Sequence, residues 1–492
     1  MEQSNVELRL FPRPKEAERG AGEFFFGRRL YLHIGRKYIE PFQVRLFKEL
    51  FSNFTAGSSR LKVIEHDTAF PAAILSEDPN QTVPTADGLE EMEYCLFVDT
   101  HQVTMLFRDA VSLSHAMCSM LSLIEIRDTK KPLFTLPVCR IRDTPTIGFR
   151  GIHVCVFPET RYLLLKKFIR LIGFTKYSHV VLEFWGTFRY KCCAEMSGKN
   201  ALSARQVKAL VREANALGVE VIPMLNVLGH ASQSRAIYGK HTTLDRNPKL
   251  APLFEPDGWT WNILNPDTLD LLKEMRRELC DACGTGSYFH LGCDESFPYG
   301  SSRLFDGKDK AVELYRYLNG IADELEQMGR RAIIWGDQML NEPGRFREDC
   351  ITYGETPEIA RKLIENLDRR IIIDDWQYYV KQKNVPTAEF FAEEGFDVIL
   401  APFDFVPAVG ICADDVITHG YYGFMQTTWH LMHGADFRLV LRGATFAWEG
   451  NVELTKADIE FMGFESASYL RRLLPPKGIY RNSGLREKQI EV

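Results

Sequence analysis

The sequence predicts an α/β fold in which a (β/α)8 TIM barrel follows a small α+β domain. Two observations carry this prediction. Over residues 146–450, eight strand-like apolar segments alternate with helical patterns, which is the count and size of such a barrel. Over residues 1–145, strand-like segments are interspersed with two helical patterns, which indicates a sheet covered by helices on one face.

An open doubly wound sheet is the alternative to the barrel. Such a sheet usually has fewer strands and a glycine-rich phosphate loop after the first of them. Here Phe157-Pro158-Glu159-Thr160 follows the first strand of the alternating part, and it holds no glycine. The barrel is therefore the preferred interpretation.

The N-terminal unit, residues 1–145, is predicted as strand, helix, strand, hairpin and helix. Residues 71–87 are rich in Pro, Asp, Thr and Asn and are expected to form a surface loop. The predicted strands, helices and hairpin arms are 30–34, 44–54, 61–65, 93–98, 103–107 and 109–124.

The barrel unit, residues 146–450, is defined by its strand candidates and the helical patterns between them. A final helical pattern at 456–474 lies outside the eightfold count, so residues 451–492 are predicted as a helical extension packed on the barrel. The strand candidates are 148–156, 179–184, 220–226, 288–295, 331–337, 370–376, 397–403 and 422–429. The clearest helical patterns are 203–217, 267–283, 308–328, 358–366 and 387–394.

Composition narrows the possible partners. A net charge of −6 without any lysine-rich run predicts that the chain binds neither nucleic acid nor an anionic membrane surface. No stretch approaches the ~20 apolar residues of a membrane span, and the polar start lacks a signal-peptide pattern. Eleven cysteines without framework spacing favour free thiols and a cytoplasmic location.

No metal and no cofactor are predicted from the sequence. Cys280 and Cys283 have the spacing of a zinc-binding pair, and Cys192-Cys193 could complete it. However, Cys280 and Cys283 end an amphipathic helical pattern, where both would face the same packing surface. The packing interpretation is therefore preferred.

Polar and aromatic residues follow the carboxyl ends of the predicted barrel strands. Because these ends converge on one mouth of a barrel, the residues should lie together there. Indole rings stack on the C–H faces of sugars and carboxylates bind hydroxyls, so the set favours a carbohydrate substrate. The strand-end residues are Cys155, Glu183 with Trp185, Asn226 with His230, Asp294 with Glu295, Trp335 with Asp337, Asp375 and Trp376 with Tyr378, Asp404, and Trp429.

The adjacent acids Asp294 and Glu295 are the candidate catalytic pair. An arbitrary Asp-Glu pair is more often structural, but these two end the fourth of eight strands, where a barrel keeps its chemistry. His230 after the third strand is a candidate site residue for the same reason. His290 lies within the fourth strand and is expected to be buried with a structural role.

The motif His290-x-Gly292-x-Asp294-Glu295 lies in the fourth predicted strand. It is similar to the signature of the family 20 glycoside hydrolases, the β-N-acetylhexosaminidases, and the sequence resembles that family. The segment 141–153 resembles its entry into the first barrel strand, and Val221-Ile222-Pro223 with Gly229-His230-Ala231 resembles its third-strand motif. The resemblance covers nearly the whole chain up to the eighth strand.

The resemblance implies retaining, substrate-assisted hydrolysis of terminal β-linked GlcNAc or GalNAc. The acetamido oxygen of the substrate would attack the anomeric carbon to form an oxazoline. Asp294 would hold the acetamido N–H, and Glu295 would protonate the leaving oxygen and then activate water. The implied substrate-binding residues are Glu183, His230, Trp335, Asp337, Trp376, Tyr378 and Trp429.

Two departures from the family pattern concern the first two strands. Cys155 and Pro158 stand where the family usually has an Asp and a hydroxyl-binding Arg, and about Gly186-Thr187 replaces a pair of Asp residues. Both departures resemble the hexosaminidase D-like branch of the family. They leave the choice between GlcNAc and GalNAc open. Glu183 is the first candidate to bind the sugar hydroxyls in place of the missing Arg, and Arg161 is the second.

Two further functions are consistent with the same sequence. One is a glycosidase on this scaffold that acts on a modified amino sugar. The other is a barrel that binds sugar without catalysis, although retention of both acids speaks against it. For the oligomeric state, a homodimer is the prediction.

Overall fold

The computed structural model describes residues 8, 10–83, 92–128, 131–232, 243–296, 299–432, 436–450 and 452–475. Its N-terminal part is a mainly antiparallel sheet with strand order β1-β8-β5-β6-β4-β2-β3, and β7 pairs with β8. The strands are β1 (Glu16–Phe26), β2 (Arg29–Gly35), β3 (Arg60–His66), β4 (Ala72–Ser76), β5 (Tyr94–Val98), β6 (Gln102–Phe107), β7 (Glu125–Asp128) and β8 (Leu133–Asp143). Helices α1 (Pro41–Phe54) and α2 (Ala110–Ser122) accompany this sheet.

The N-terminal sheet differs from its prediction in one central strand. Strand β4 lies between β2 and β6 and is buried along its whole length. Its sequence, Ala-Ala-Ile-Leu-Ser, is flanked by loop-forming residues, and the loop prediction for 71–87 was wrong over this stretch because burial outweighed composition. Residues 84–87 lie outside the described residues.

The second part is a closed barrel of eight parallel strands, which confirms the predicted fold class. The strands follow one another in chain order, and β16 pairs with β9 to close the barrel. They are β9 (Phe149–Val156), β10 (His179–Phe184), β11 (Glu220–Met224), β12 (Tyr288–His290), β13 (Arg331–Trp335), β14 (Ile372–Asp375), β15 (Val398–Leu400) and β16 (Gly423–Thr427).

The helices of the second part surround this barrel. They are α3 (Tyr162–Phe174), α4 (Ala204–Ala216), α5 (Thr243–Arg246), α6 (Pro266–Cys283), α7 (Lys310–Gln327), α8 (Pro357–Asn366), α9 (Pro386–Glu393), α10 (Val406–His419), α11 (Arg438–Glu449) and α12 (Lys456–Leu473). Helix α12 packs against α3, with the Phe174 and Tyr469 rings 4.9 Å apart. No helix of the described part is long and apolar enough to cross a membrane.

Side-chain alternation along the strands decides which residues enter the barrel. Val181 packs in the apolar cluster inside the barrel, whereas Val180 and Leu182 belong to the core shared with the helices. Glu183 follows Val181 by two positions and therefore points inward. The same period from Phe149, which is part of the inner cluster, directs His153 and Cys155 inward.

A buried polar cluster joins the N-terminal sheet to the barrel. Asp143, at the end of β8, accepts hydrogen bonds from Tyr94 Oη (2.7 Å), Lys176 Nζ (2.8 Å) and Trp448 Nε1 (2.9 Å). The ammonium of Lys176 also lies 4.6 Å from the Trp448 ring centre. The predicted domain limits fall after β8 and after α11, and the division into three units stays a prediction.

Candidate active site

The acid pair lies in a turn after β12, not at the end of a long strand. The predicted strand 288–295 stops at His290, and Gly292, Cys293 and Glu295 have φ values of 68°, 81° and 45°. A Cβ on Gly292 would lie 2.5 Å from the Asn226 side chain, so both the backbone and the space require glycine. Because the chain is a turn here and not a strand, the directions of the two carboxylates do not follow the alternation of a strand.

Asp294 is held by Asn226. Asn226 follows β11, and its Nδ2 donates to Asp294 Oδ1 at 2.6 Å while its Oδ1 accepts from the Cys293 backbone N–H at 3.1 Å. One amide therefore fixes both the carboxylate and the turn that carries it. Asp294 is buried, whereas the Glu295 side chain is 39% exposed.

His230 lies between the two acids. Its Nε2 is 3.1 Å from Asp294 Oδ2 and 3.3 Å from Glu295 Oε2, so one nitrogen contacts both carboxylates. The imidazole packs on the Trp259 ring with centroids 4.3 Å apart, and Trp259 Nε1 donates to the Glu295 backbone oxygen at 2.7 Å. Trp259 was absent from the sequence prediction because it lies in the long segment between β11 and α6, away from any strand end.

Asp337 is a third carboxyl group at this side of the mouth. Its Oδ2 accepts the Glu295 backbone N–H at 3.0 Å, and its Oδ1 accepts Trp376 Nε1–H at 3.1 Å. Burial, reinforced by the negative charge of Asp294, raises the pKa of Asp337 to about 7. Predicted as a substrate ligand, Asp337 holds the turn and an indole ring in this structure.

Four aromatic residues form a wall beside the acids. Trp376 and Tyr378 have ring centroids 5.0 Å apart, and Trp335 and Trp429 are 6.1 Å apart. Trp429 Nε1 donates to Tyr378 Oη at 2.7 Å, and burial raises the pKa of Tyr378 well above its usual range, so the phenol stays protonated. The structure thus brings these four predicted strand-end residues together, and their role in binding substrate stays a prediction.

Glu183 is the centre of a second cluster at the mouth, on β10, the strand next to β11. A single oxygen, Oε2, accepts from His153 Nε2 (3.1 Å), Cys155 Sγ (3.3 Å) and Trp185 Nε1 (3.0 Å). The His153 ring lies 4.8 Å from Trp429 and 5.8 Å from Trp335, so this cluster adjoins the aromatic wall. His153 was not among the predicted site residues because it lies three positions before the end of β9.

Comparison with known proteins identifies the family. A model of glycosyl hydrolase family 20, catalytic domain, matches residues 174–436, which is more than half of the chain. The chain belongs to glycosyl hydrolase family 20. The matched segment begins after β9 and includes the acid pair, His230, Glu183 and the aromatic wall.

The relatives of this family 20 chain are distant in sequence. A lacto-N-biosidase of Bifidobacterium bifidum is 23% identical over 222 residues, and the match spans 42% of this chain but 19% of that relative. A family 20 exo-β-N-acetylglucosaminidase of Vibrio harveyi, solved with N-acetylglucosamine, is 15% identical with a TM-score of 0.67, covering 94% of this chain and 77% of that one. An N-acetyl-β-hexosaminidase of Streptomyces plicatus is 14% identical with a TM-score of 0.64, covering 95% of each chain. At these identities the two structures show the shared fold.

Asp375 and His290 belong to neither the acid pair nor the aromatic wall of the family 20 site. Asp375 points out of the barrel, where it accepts from Thr387 Oγ1 at 2.6 Å and from Gln377 Nε2 at 2.9 Å. His290 is fully buried inside the barrel, with Nε2 3.2 Å from Asp374 Oδ2, and its Nδ1 accepts from the Gly292 backbone N–H. His290 thus orients the turn that carries the acids.

Proposed function

We propose that this family 20 chain is a retaining exo-β-N-acetylhexosaminidase that releases terminal β-linked GlcNAc or GalNAc through an oxazoline intermediate. The observation that carries the proposal is the pair Asp294 and Glu295 contacting one His230 nitrogen beside an aromatic wall. The Bifidobacterium, Vibrio and Streptomyces proteins bear names of enzymes that release N-acetylhexosamines or a lacto-N-biose unit. These names support the same class of substrate.

The carboxylates have environments suited to different tasks. Asp294 is buried and fixed by Asn226, so it can hold the acetamido N–H and stabilise the positive charge that develops on the nitrogen. Tyr378, whose oxygen accepts from Trp429, keeps its own O–H to donate to the acetamido oxygen. The two contacts would aim that oxygen at the anomeric carbon.

Glu295 is suited to proton transfer. Its partly exposed side chain reaches a leaving group or a water at the mouth, while its backbone is fixed at both ends by Asp337 and Trp259. Glu295 would protonate the glycosidic oxygen as the oxazoline forms and then remove a proton from the water that opens it. His230 would hold the glutamate beside Asp294 in both steps.

A cavity of about 510 Å³ beside Trp376 of the aromatic wall is suited to the leaving group. It is lined by residues 348–353, Tyr379 and Lys381, and the Tyr353 ring lies 5.7 Å from that of Trp376. The Tyr379 side chain is largely exposed, with a relative accessibility of 58%. An exposed tyrosine can stack on the apolar face of a second sugar, so we place the leaving saccharide against it.

Two further features belong to this proposal. The chain would be a hexosaminidase D-like member, because Cys155 and Pro158 stand where the family pattern has Asp and Arg. It would act in a reducing compartment such as the cytoplasm, since its eleven cysteines are free thiols.

The proposal is tested with 4-nitrophenyl N-acetyl-β-D-glucosaminide and the corresponding galactosaminide side by side. Release of 4-nitrophenol from at least one, with inhibition by a thiazoline analogue of the oxazoline, is the expected result. Inertness toward both substrates would refute the activity. Hydrolysis that is insensitive to the thiazoline would refute acetamido participation, and activity on a sulfated amino sugar alone would favour the modified-substrate alternative.

A further inference from the structure

Three side chains with metal-binding atoms converge inside the barrel, at the end of β9 and β10. They are His153, Cys155 and Glu183, and a nitrogen, a sulfur and an oxygen from them lie within 4.8 Å of one another. All three side chains are buried. Among the described residues, no other group of three or more His, Cys, Asp or Glu side chains has this arrangement.

The spacing of these atoms fits a tetrahedral metal ion. Glu183 Oε2 is 3.1 Å from His153 Nε2 and 3.3 Å from Cys155 Sγ. Metal–ligand bonds of about 2.0–2.3 Å at tetrahedral angles separate ligand atoms by roughly 3.3–3.6 Å, which these two distances approach within a few tenths of an ångström, while all three atoms lie within 4.8 Å of one another. We propose that His153, Cys155 and Glu183 form a binding site for a thiophilic divalent cation, with Zn²⁺ the best match.

The ligand types decide the choice of cation. A thiolate and an imidazole favour Zn²⁺ over Mg²⁺ or Ca²⁺, which prefer oxygen ligands. Three protein ligands also match the number in zinc sites that keep one position open for water or another ligand. The CxxC pair considered from the sequence, Cys280 and Cys283, instead packs in the apolar core on α6, as its place at the end of an amphipathic helical pattern predicts.

The second nitrogen of His153 supports the same interpretation. The contact with Glu183 places a ring proton on Nε2, and within the described part of the chain buried His153 Nδ1 has no hydrogen-bond partner, so no existing contact opposes protonation of Nδ1 instead. When Nε2 binds a cation, its hydrogen bond to Glu183 is replaced by metal–ligand bonds, and the ring proton moves to Nδ1. Trp185 Nε1, which donates to Glu183 at 3.0 Å, would continue to orient the carboxylate.

Binding at this site has a defined proton balance. The Cys155 S–H group donates a hydrogen bond to Glu183 Oε2 in this structure. The sulfur is therefore protonated before the cation arrives. Zn²⁺ forms an S–Zn bond as the S–H bond breaks, and one proton leaves to solvent with no change in oxidation state. Cation affinity should therefore rise with pH.

One consequence of the site rests on the proposed function. The His153 ring contacts Trp335 and Trp429, which belong to the wall assigned to the sugar. A cation bound beneath these rings would occupy the side of the pocket where Glu183 would bind sugar hydroxyls. Zinc should then inhibit hydrolysis competitively, and the inhibition should be absent in Cys155→Ser.

The binding test uses the full chain and Co²⁺ as a spectroscopic substitute for Zn²⁺. A thiolate-to-cobalt charge-transfer band and tetrahedral d–d bands are expected at one equivalent, and Zn²⁺ should displace both. Cys155→Ser should abolish the charge-transfer band, and Glu183→Gln should weaken cobalt affinity by at least about tenfold. Exposed Cys192 is the matched control, and Cys192→Ser should keep the wild-type spectrum.

The test has a readout that needs no variant and no activity. Titration of wild-type chain with Zn²⁺ in weak buffer should release about one proton per bound ion. The absence of a thiolate band in wild type, or a band that survives in folded Cys155→Ser, would overturn the site. If the enzyme proves inactive on every amino-sugar substrate while the band and proton release are present, the metal site stands and the proposed function fails.

Discussion

The two sides of the barrel mouth are built by different means. On the side of β11 to β13, Asn226, His230 and Asp337 hold the acid pair from three directions in a turn with positive φ angles. On the side of β9 and β10, inward-pointing residues of regular strands gather on Glu183. The first side depends on a particular backbone path, and the second depends only on side-chain identity.

This difference in construction explains why the turn that carries the acids matches the motif of the family while the β9 position of Cys155 departs from the family pattern. The turn requires glycine at position 292 and an amide at 226, so a change at either position would move both carboxylates. A strand residue such as Cys155 can replace another without moving the backbone. The proposed reaction machinery can therefore persist while the side assigned to sugar hydroxyls changes, and four variants test that separation.

The largest effect is expected on the turn side, in Glu295→Gln. The amide keeps the shape of the side chain but cannot donate or accept the proton, so kcat should fall by at least about a thousandfold. KM should change little, because the aromatic wall and Asp294 are intact. Initial rates on the 4-nitrophenyl substrates check this result.

Glu389→Gln is the control for Glu295→Gln, since Glu389 is an exposed acid on α9. It should keep wild-type rates. Glu295→Gln activity within tenfold of wild type would remove Glu295 from its proposed role and assign the chemistry elsewhere.

Asp337→Asn should produce the next largest effect. The substitution weakens the acceptors that hold Glu295 N–H and Trp376 Nε1–H, so the acid pair shifts and kcat/KM should fall by about ten- to a hundredfold. Asp375→Asn is the matched control, because this buried carboxyl on the outside of the barrel should affect stability but not kcat/KM.

Asp337→Asn should also change how the free energy of unfolding depends on pH. The pKa of Asp337 is raised to about 7 in the folded chain from an ordinary value of 3.8, so the folded state binds more protons between these pH values. The contribution of this carboxyl group to the free energy of unfolding is fully present below about pH 4 and is lost as the pH rises through about 7. The free energy of unfolding measured with urea should fall less between about pH 4 and about pH 7 in Asp337→Asn than in wild type. Equal dependence on pH in the two proteins would contradict the raised pKa.

The sequence predicted the barrel and the acid pair because both leave local signals. Eight apolar runs alternate with amphipathic helices, and His290-x-Gly292-x-Asp294-Glu295 lies in consecutive positions. The end of β12 at His290 was missed, since the positive φ angles at Cys293 and Glu295 belong to residues that rarely adopt them. Strand β1 was missed for a related reason, because its exposed, charged first half has no apolar alternation.

Contacts between distant segments could not be predicted from the same signals. Trp259 reaches Glu295 from a long connection, and Asp337 contacts the backbone of a residue 42 positions away. His153 was missed because only the closed barrel brings β9 and β10 together inside one cluster. Such pairings depend on strand register and on loop paths, which single-sequence patterns leave open.

A smaller effect is expected on the strand side, in Glu183→Gln. Loss of the negative charge weakens the acceptor proposed for sugar hydroxyls, so KM should rise by about tenfold while kcat stays within a few fold. The ratio of activities on the GlcNAc and GalNAc substrates should also change, because the two sugars differ in the orientation of one hydroxyl. A fall in kcat with unchanged KM would place Glu183 with the reaction machinery and erase the distinction between the two sides.

The smallest effect is expected outside both sides, in Tyr379→Ala. If the exposed ring stacks on the leaving sugar, kcat/KM for a β-linked N-acetylhexosamine disaccharide should fall by about three- to tenfold, in line with one aromatic contact. The 4-nitrophenyl substrate lacks the second sugar and should be affected less. Phe464→Ala removes another exposed ring, on α12, and should change neither rate. Equal losses on both substrates would show that Tyr379 acts through the acid pair, and the leaving-group position would then be wrong.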